Sequence, residues 1–447
     1  MAEAADQRNG PIASVNQSGE QEEKVDLNQT SVLSDCKSFI EKVSSFFNHE
    51  TLSDVIIQVG EQSYFAHKFV LANGSDVLKT MLYENRWNDC DSSLITLNET
   101  EECQAVFEPF LKFFYTATIE LNLANVIGIL CLADKYDVRA LKHLCQSYMV
   151  DHCKSPRLEN IQNALIWYPW SKALHLKCLH NQSKATIAWN AKDIMSSPDW
   201  LSMEYEFLLD MLSSSDLIIQ SELELYEAVQ RWLLHILEKH DTEIFMEYCY
   251  KLLQLVRFPR MPIMNLHTVE QSQLAHNDSV KEFLTAQLGH AYRFHSLCMA
   301  PIKDIQEEFL DLRYQPRDYL DSQVDSVRIQ NTMRYAMQVE VKTSPSPLPD
   351  QRRDAEWKLS YRRIASTGVW SLHIQCQDAT LNNNNAAYES TVIIYDTSDK
   401  IIQVVKPEKA CCRRGQAEII DVPLEVTGAG KTMVILIKPV ISVRKPD

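Results

Sequence analysis

The sequence predicts an α+β protein in which a small mixed domain and an all-helical middle region precede a C-terminal antiparallel β-sandwich. Three observations predict this order. Short runs rich in β-branched and aromatic residues lie between 52 and 97, apolar residues recur at intervals of three and four from 103 to 300, and the period falls to two after residue 334. The 447 residues, 45% of them hydrophobic, can build two or three domains with cores of their own.

The N-terminal segment, residues 1–30, is polar and is predicted to be disordered. It has no apolar stretch between a basic start and a small-residue cleavage site, so we expect no secretory signal. From residue 31 the apolar spacing predicts an amphipathic helix. Its apolar face, which includes Phe39, Ile40, Val43 and Phe46, must be covered either by its own domain or by a second chain.

The first domain is predicted over 31–154 as a small sheet followed by paired helices. The runs DVIIQV and SYFAHKFVLA predict two strands, because Gly60 to Gln62 between them is typical of a hairpin turn. The SLITL run at 93–97 predicts a third strand. Helical spacing then continues to residue 154.

The middle domain is predicted over 155–300 and is almost entirely helical. Residues 216–221 are typical of a connector, and Glu222 and Glu224 then fall in the first helical turn, where negative charge is favoured. A charged, proline-broken linker is predicted over 301–333.

The C-terminal domain, 334–447, is predicted to be an antiparallel β-sandwich. The alternating pattern and the intervening turn residues are those of short strands joined by tight connections. The seven predicted strands are RYAMQVEVK, EWKLSYRRI, GVWSLHIQC, STVIIYD, KIIQVVK, QAEIIDV and TMVILIK.

Composition excludes several classes of function. The net charge of −16 argues against a nucleic-acid groove, which would need clustered Lys and Arg, and no apolar stretch of about 20 residues predicts a membrane span. The 12 cysteines are scattered through a chain too long to need disulfides, so we expect a reducing, cytoplasmic setting.

Chemistry-bearing motifs are also weak. No glycine-rich phosphate loop and no assembled nucleophile and base stand in the sequence, so we expect no enzymatic activity and no cofactor. His143, Cys145, His152 and Cys153 lack a paired metal-ligand motif and are interpreted as core and surface residues. The Cys411–Cys412 pair could form a reactive thiolate beside two arginines, but an ordinary turn is the better interpretation.

Several sequence blocks carry a family resemblance. Residues 52–150 resemble a BTB/POZ domain and the helical middle resembles a BACK domain. The blocks that carry the first are LSDVIIQV (52–59), AHKFVLA (66–72), YT (115–116) and LADKYDV (132–138); LSSSDLIIQSELELYEAVQRWL (212–233) and VRFPRM (256–261) carry the second. The domain order is similar to that of the BTB/POZ domain-containing protein 17 group, whose relatives include a secreted galectin-binding glycoprotein, and residues 334–440 are TRAF-like.

The resemblance implies two protein-docking sites. In adaptor-type BTB domains a motif of an apolar residue, any residue and Glu docks the cullin-3 scaffold, and Leu82, Tyr83 and Glu84 stand at that place. It implies that Leu82 fills a pocket of cullin-3 while Glu84 caps or pairs with polar groups at the rim of that pocket. The alternative is that Leu82 packs internally and Glu84 is solvated. The family's first helix packs across a two-fold dimer, which would use Phe39, Ile40, Val43 and Phe46.

The resemblance therefore implies a substrate-recruiting adaptor of a cullin-3 RING ubiquitin ligase. The BTB domain would form a homodimer and dock cullin-3, the BACK helices would act as a spacer, and the sandwich would hold an unknown protein substrate. The alternatives are an oligomeric BTB scaffold and a transcriptional co-regulator without a ligase role. The co-regulator class usually adds zinc fingers and carries a basic residue where this chain has Phe65. A kelch propeller of about 300 residues would not fit after the linker.

Overall fold

The computed structural model describes 35–83, 93–154, 158–239, 241–297, 307–321, 326–330, 337–343, 355–363, 370–378, 385–407, 410–413, 415, 417–422 and 432–439. The chain divides into two compact units. The first unit comprises 1–100 with 107–119, and the second unit comprises 101–106 with 120–447.

A three-stranded sheet forms the centre of the first unit. Strand β1 (Val55–Val59) pairs antiparallel with β2 (Gln62–Ala66) and parallel with β3 (Leu94–Leu97), which gives the order β2-β1-β3. The predicted hairpin turn is present, and Gly60 adopts a φ of 59° that suits glycine. Alternate residues of β1 are buried, as expected for a sheet with one covered face.

Helices of the first unit surround this sheet. They are α1 (Cys36–Ser44), α2 (Lys68–Gly74), α3 (Asp76–Tyr83) and α5 (Phe107–Thr116), whereas α4 (Glu101–Ala105) belongs to the second unit. The predicted second strand is wrong beyond Ala66, because α2 begins at Lys68. The Asp54 side chain accepts a hydrogen bond from the Lys68 backbone N–H at 2.8 Å, which satisfies a donor of the first helical turn and favours the helix over the strand.

The helical region of the second unit confirms the predicted helical middle of the chain, with the two-residue strand β4 (Ile218–Ile219) as an exception. Its remaining helices are α6 (Val126–Lys135), α7 (Arg139–Cys153), α8 (Leu158–Ala173), α9 (Lys177–Trp189), α10 (Ala191–Ser196), α11 (Tyr205–Ser213), α12 (Glu222–Leu237), α13 (Thr242–Leu255), α14 (Ile263–Glu270) and α15 (Lys281–Leu297). Helix α12 begins at Glu222 as predicted, and Ser221 Oγ caps it by accepting from the Glu224 N–H at 3.3 Å. Among the described residues, no helix is both long and apolar enough to cross a bilayer.

Two antiparallel sheets form the C-terminal part of the second unit. The strands are β6 (Ser326–Gln330), β7 (Met337–Thr343), β8 (Ala355–Arg363), β9 (Trp370–Asp378), β10 (Asn385–Tyr395), β11 (Ile401–Val405), β12 (Ala410–Arg413), β13 (Ala417–Val422) and β14 (Thr432–Pro439). The inner sheet has the order β11-β10-β14-β6, with β12 also paired to β10, and the outer sheet has the order β13-β9-β8-β7. Trp357 of the outer sheet and Tyr388 of the inner sheet meet with ring centroids 4.5 Å apart. All seven predicted strands are present, but β6 and β12 were missed, and the turn predicted at Cys411–Cys412 is strand β12.

The inner sheet is covered on both faces. Its core side chains Ile393, Tyr395 and Val434 pack against Ile218 of β4 (Ile218–Ile219), a short strand that pairs parallel with β5 (Asp318–Tyr319). The helical region and the sandwich therefore share one apolar core. The segment 301–333, predicted as a linker, supplies β5 and β6 to folded sheets instead of forming only an exposed connection.

Candidate protein-docking surfaces

The predicted cullin-docking motif begins on the inner side of α3. Ser75 Oγ accepts a hydrogen bond from the Leu78 N–H at 3.0 Å and so caps the start of this helix. Leu78 is buried, and Leu82 lies one turn later on the same face with only 2% of its surface exposed. Leu82 is therefore buried within this chain, as in the alternative that it packs internally, and it offers almost no surface to a pocket in a partner.

The outer side of α3 presents Tyr83 instead. This side chain is 53% exposed, and Val77 at the start of the same helix is also exposed. Glu84, the third residue of the motif, lies outside the described residues. Helical periodicity could have given this assignment, because the pair Leu78 and Leu82 marks the buried stripe and leaves Tyr83 off it.

Helix α1 presents an apolar face at the surface of the first unit. Asp35 Oδ1 accepts from the Ser38 N–H at 3.2 Å, which caps the helix, and none of its residues is buried. Phe39 is 68% exposed and Ile40 is also exposed. Two of the four predicted dimer residues are therefore available to a second chain.

The other two predicted dimer residues are partly covered by their own unit. Val43 and Phe46 are of intermediate exposure, and the Phe46 ring lies edge-on to His67 with centroids 5.7 Å apart. The exposed Phe39 and Ile40 thus fit covering by a second chain, whereas the half-buried Val43 and Phe46 fit covering by the helix's own domain.

The AHK and YT blocks of the sequence meet in a single hydrogen-bond network. His67 Nε2 lies 3.0 Å from the Thr51 carbonyl, and His67 Nδ1 lies 3.0 Å from the Tyr115 hydroxyl. A neutral ring with its proton on Nε2 satisfies both contacts, since Nδ1 then accepts from the Tyr115 O–H. The His67 backbone N–H also donates to that hydroxyl, at 3.1 Å. Burial raises the pKa of Tyr115 to about 12, so it stays protonated.

A buried carboxylate joins the helical region to the sandwich. Asp318 of β5 accepts a hydrogen bond from Thr391 Oγ1 at 2.9 Å and pairs with Lys438 Nζ at 2.7 Å and Lys406 Nζ at 2.6 Å. Burial alone would raise the pKa of Asp318, but the two ammonium groups outweigh it and hold the pKa below its usual value. The inner sheet is therefore fastened to β5 by charge as well as by apolar packing.

The neighbouring Arg317 is fixed in the helical region. Its Nε donates to Glu222 Oε1 at 2.8 Å, and Tyr319 donates its hydroxyl to the same oxygen at 2.8 Å. Its other nitrogens donate to the backbone carbonyls of Leu212, Ser214 and Leu255. The sequence predicted Glu222 in the first helical turn, where negative charge is favoured, but did not predict this buried pair with Arg317.

The cysteines of α7 that the sequence singled out are buried thiols. Burial raises the pKa of Cys145 to about 12 and that of Cys153 to about 11, so both thiols stay protonated. His152 Nδ1 lies 2.8 Å from the Tyr148 carbonyl. Within the described ranges, no group of three or more His, Cys, Asp or Glu side chains could hold a metal ion.

Two family models match the chain, one after the other. The model described as BTB/POZ domain matches residues 43–152, and the model described as BTB And C-terminal Kelch matches 164–271. The first match takes in the three-stranded sheet and continues through α7, and the second match falls on helices of the second unit.

Curated relatives are similar to parts of this chain. BTB/POZ domain-containing protein 17 of Xenopus tropicalis is 28% identical over 294 residues, which is 63% of this chain and 58% of the relative. Galectin-3-binding protein of Mesocricetus auratus is 24% identical, over 72% of this chain and 54% of the relative. Kelch-like protein 7 of Gallus gallus is 25% identical, over 49% of this chain and 35% of the relative. The chain thus spans little more than half the length of the first two.

Proposed function

We propose that this chain, which contains a BTB/POZ domain followed by a BACK domain, is a substrate-recruiting adaptor of a cullin-3 ubiquitin ligase. The observation that carries the proposal is the order of the two domains, which adaptors of this class share. The similarity to a kelch-like protein over 49% of the chain supports it. The protein would supply proximity and orientation, while the other subunits carry the covalent chemistry.

Dimerisation is proposed through α1. The exposed Phe39 and Ile40 support it, because burying one such side chain contributes roughly 1.5 to 3 kcal/mol. Val43 and Phe46 would extend the contact from their half-buried positions. Two copies would present two substrate sites to a multivalent target, which raises the effective concentration of the second contact.

Cullin-3 docking is proposed at the end of α3. The roles of the three motif residues differ from those that the resemblance implies. Tyr83 becomes the contacting aromatic side chain, since aromatic residues are enriched among the side chains that dominate binding energy. Leu82 anchors the helix from inside the unit, and Glu84 supplies the acidic group. The docking surface would therefore depend on Leu82 through stability and on Tyr83 through contact.

Substrate recruitment is proposed for the second unit. Because the sandwich shares a core with the helical region, it holds its bound substrate in a fixed orientation to those helices. We also place the protein in the cytoplasm. None of the eight cysteines whose side chains the structure describes forms a disulfide, which supports a reducing compartment.

The test measures the mass and affinity of complexes between the purified full chain and the N-terminal domain of cullin-3 by light scattering and calorimetry. We expect a complex with two copies of each protein. Tyr83→Ala is expected to weaken cullin binding about tenfold, which corresponds to about 1.4 kcal/mol. Met264→Ala provides the matched control, because Met264 is 72% exposed on α14 and should leave the affinity unchanged.

Three other results would each contradict one part of the proposed function. A dimer without cullin-3 binding would overturn the ligase proposal in favour of an oligomeric scaffold or a co-regulator. Wild-type affinity in Tyr83→Ala would remove the docking surface on α3 while leaving the adaptor class in place. A monomer at micromolar concentration would contradict the α1 dimer.

A further inference from the structure

A cleft of about 360 Å³ lies within the second unit, where α10, β4 and the inner sheet meet. Its volume is within the range of roughly 300 to 1,000 Å³ typical of ligand sites, which often occur where two folded regions join. The apolar side chains Ile218, Tyr395, Ile401 and Val434 form a buried floor, and polar or charged residues make up half of the lining. The half-buried Trp189 also lines it. A floor of this kind is suited to one large apolar side chain.

Side-chain amides that bond to no other described residue through at least one of their polar atoms also line the cleft. Asn190 is only 5% exposed, and its Nδ2 donates to the Thr186 carbonyl at 2.7 Å. Its Oδ1 accepts no hydrogen bond from any residue that the structure describes. The Gln220 side-chain amide likewise has no partner among the described residues, although its backbone N–H donates to Glu224.

The indole of Trp189 differs from the deeply buried indoles nearby. Trp200 Nε1 donates to the Ala228 carbonyl at 2.7 Å, and Trp232 Nε1 donates to the Met203 carbonyl at 3.0 Å. Trp189 Nε1 makes no such bond within the described part of the chain. The cleft therefore offers one indole donor and two side-chain amides, in addition to its apolar floor.

The charges that line the cleft cancel. Asp193 and Lys400 form an ion pair of 2.6 Å that joins α10 to the turn before β11. Lys192 and Asp399 add one charge of each sign. A strongly anionic ligand such as a nucleotide, or a strongly cationic one, finds no matching excess of charge here.

We propose that this cleft binds a short, uncharged peptide segment that carries one large apolar side chain. The apolar side chain would occupy the floor, and the peptide groups on either side of it would bond to Asn190 Oδ1 and to the Gln220 amide. A side-chain amide carries one acceptor and one pair of donors, which matches the donor and acceptor of a peptide group. The inference rests on the proposed function, in that the segment belongs to the recruited substrate, and it places recognition at the junction of helices and sandwich.

The test probes an array of short synthetic peptides with the labelled full chain. We expect retention of peptides that contain one large apolar residue within an uncharged stretch. For the best such peptide, Gln220→Ala is expected to raise the dissociation constant roughly tenfold, as the loss of a buried hydrogen bond does. Trp189→Phe, which keeps an aromatic ring and removes the N–H, is expected to raise it severalfold. Met264→Ala, outside the cleft, should bind as wild type.

The measurements distinguish failure of the proposed peptide site from failure of the proposed ligase role. If no peptide is retained, or if both cleft variants bind as wild type, the cleft is not a peptide site. Thermal unfolding of each variant checks folding, and Trp189→Phe remains informative if Gln220→Ala is unstable. Cullin-3 binding measured on the same preparation tests the proposed function separately: loss of cullin binding with peptide binding retained would overturn only the ligase role.

Discussion

At the scale of single residues, His67 and Tyr115 show that a family motif can be structural. They lie 48 positions apart in the sequence and are joined by two hydrogen bonds to one hydroxyl. The Thr51 carbonyl fixes the other side of the imidazole, so the ring has one orientation. The network ties the segment before β1 and the end of β2 to α5, and this explains why these residue types stand at these positions.

Replacing Tyr115 by Phe is expected to destabilise the first unit by about 1 to 3 kcal/mol. The change keeps the buried ring but removes the hydroxyl that bonds to the His67 N–H and Nδ1, and the loss of two part-buried hydrogen bonds costs about that much. Urea unfolding followed by circular dichroism measures the change. Tyr83→Phe is the control, since the exposed Tyr83 should lose nothing measurable. Equal midpoints for the two variants would contradict the role of the network.

The residues of the candidate site were predictable only in part from the sequence. The place of Leu82, Tyr83 and Glu84 followed from the family blocks, but which side chain faces outward depends on how α3 packs. The buried pair of Arg317 and Glu222 could not be predicted, because its members stand 95 positions apart and the sequence gives no signal that joins them.

At the scale of elements, α2 and α5 pack at a distance that admits no side chain on Gly74. A Cβ added there would lie 2.6 Å from Cδ1 of Phe114. Helix propensity alone would favour alanine over glycine by about 1 kcal/mol. The close contact opposes that preference, because overpacking costs about 1 to 3 kcal/mol.

Gly74→Ala is therefore expected to destabilise the first unit, against the intrinsic preference. Gly289→Ala in α15 is the matched control, since a Cβ there meets nothing within 4 Å, and it should stabilise the second unit by about 0.5 to 1 kcal/mol. If the packing argument holds, denaturant unfolding shows a lower free energy of unfolding for Gly74→Ala and a higher one for Gly289→Ala, each relative to wild type. A stabilising effect of Gly74→Ala would show that the Phe114 ring moves aside at no cost.

Local patterns predicted most elements, and they failed where tertiary contacts decide. The seven strands of the sandwich followed from alternation, and the helices of the middle region followed from spacing. The AHKFVLA run was wrongly extended as a strand, because the Asp54 contact that starts α2 is invisible in the local sequence. The short strand β12 was missed because its apolar signal is only a few residues long.

At the scale of the whole molecule, the second unit is held together by its inner sheet. A strand covered on one face alternates, as in EWKLSYRRI, whereas one covered on both faces is apolar almost throughout. The runs TVIIY and MVILI in β10 and β14 are of the second kind. This apolar pattern was present in the sequence. It could have shown that the face of the inner sheet that points away from the outer sheet is also covered. It could not have named β4 and β5 as the cover.

The buried Asp318 offers the most direct test of this shared core. Asp318→Asn removes the nearer negative charge from the buried Lys438, whose other carboxylate neighbour, Glu389, lies 3.7 Å away. Breaking a buried ion pair by removing one partner costs about 3 to 5 kcal/mol. Asp318 binds both lysines and Thr391 of the sandwich, and its strand pairs with β4. We therefore expect the substitution to destabilise both the helical region and the sandwich.

Hydrogen exchange measured by mass spectrometry distinguishes this coupling from a local defect. In Asp318→Asn we expect faster exchange in α12 and in β14 together, since Glu222 of α12 bonds to Arg317 and Tyr319 on either side of Asp318, and Lys438 of β14 pairs with Asp318 itself. Asp216→Asn is the matched control: Asp216 pairs with the same Lys406 at 2.8 Å, but its side chain is 62% exposed, and exposed pairs contribute at most about 1 kcal/mol. If β14 alone exchanged faster in Asp318→Asn, the helices and the sandwich would be independent folding regions, and the cleft between them would lack the rigid walls that peptide recognition requires.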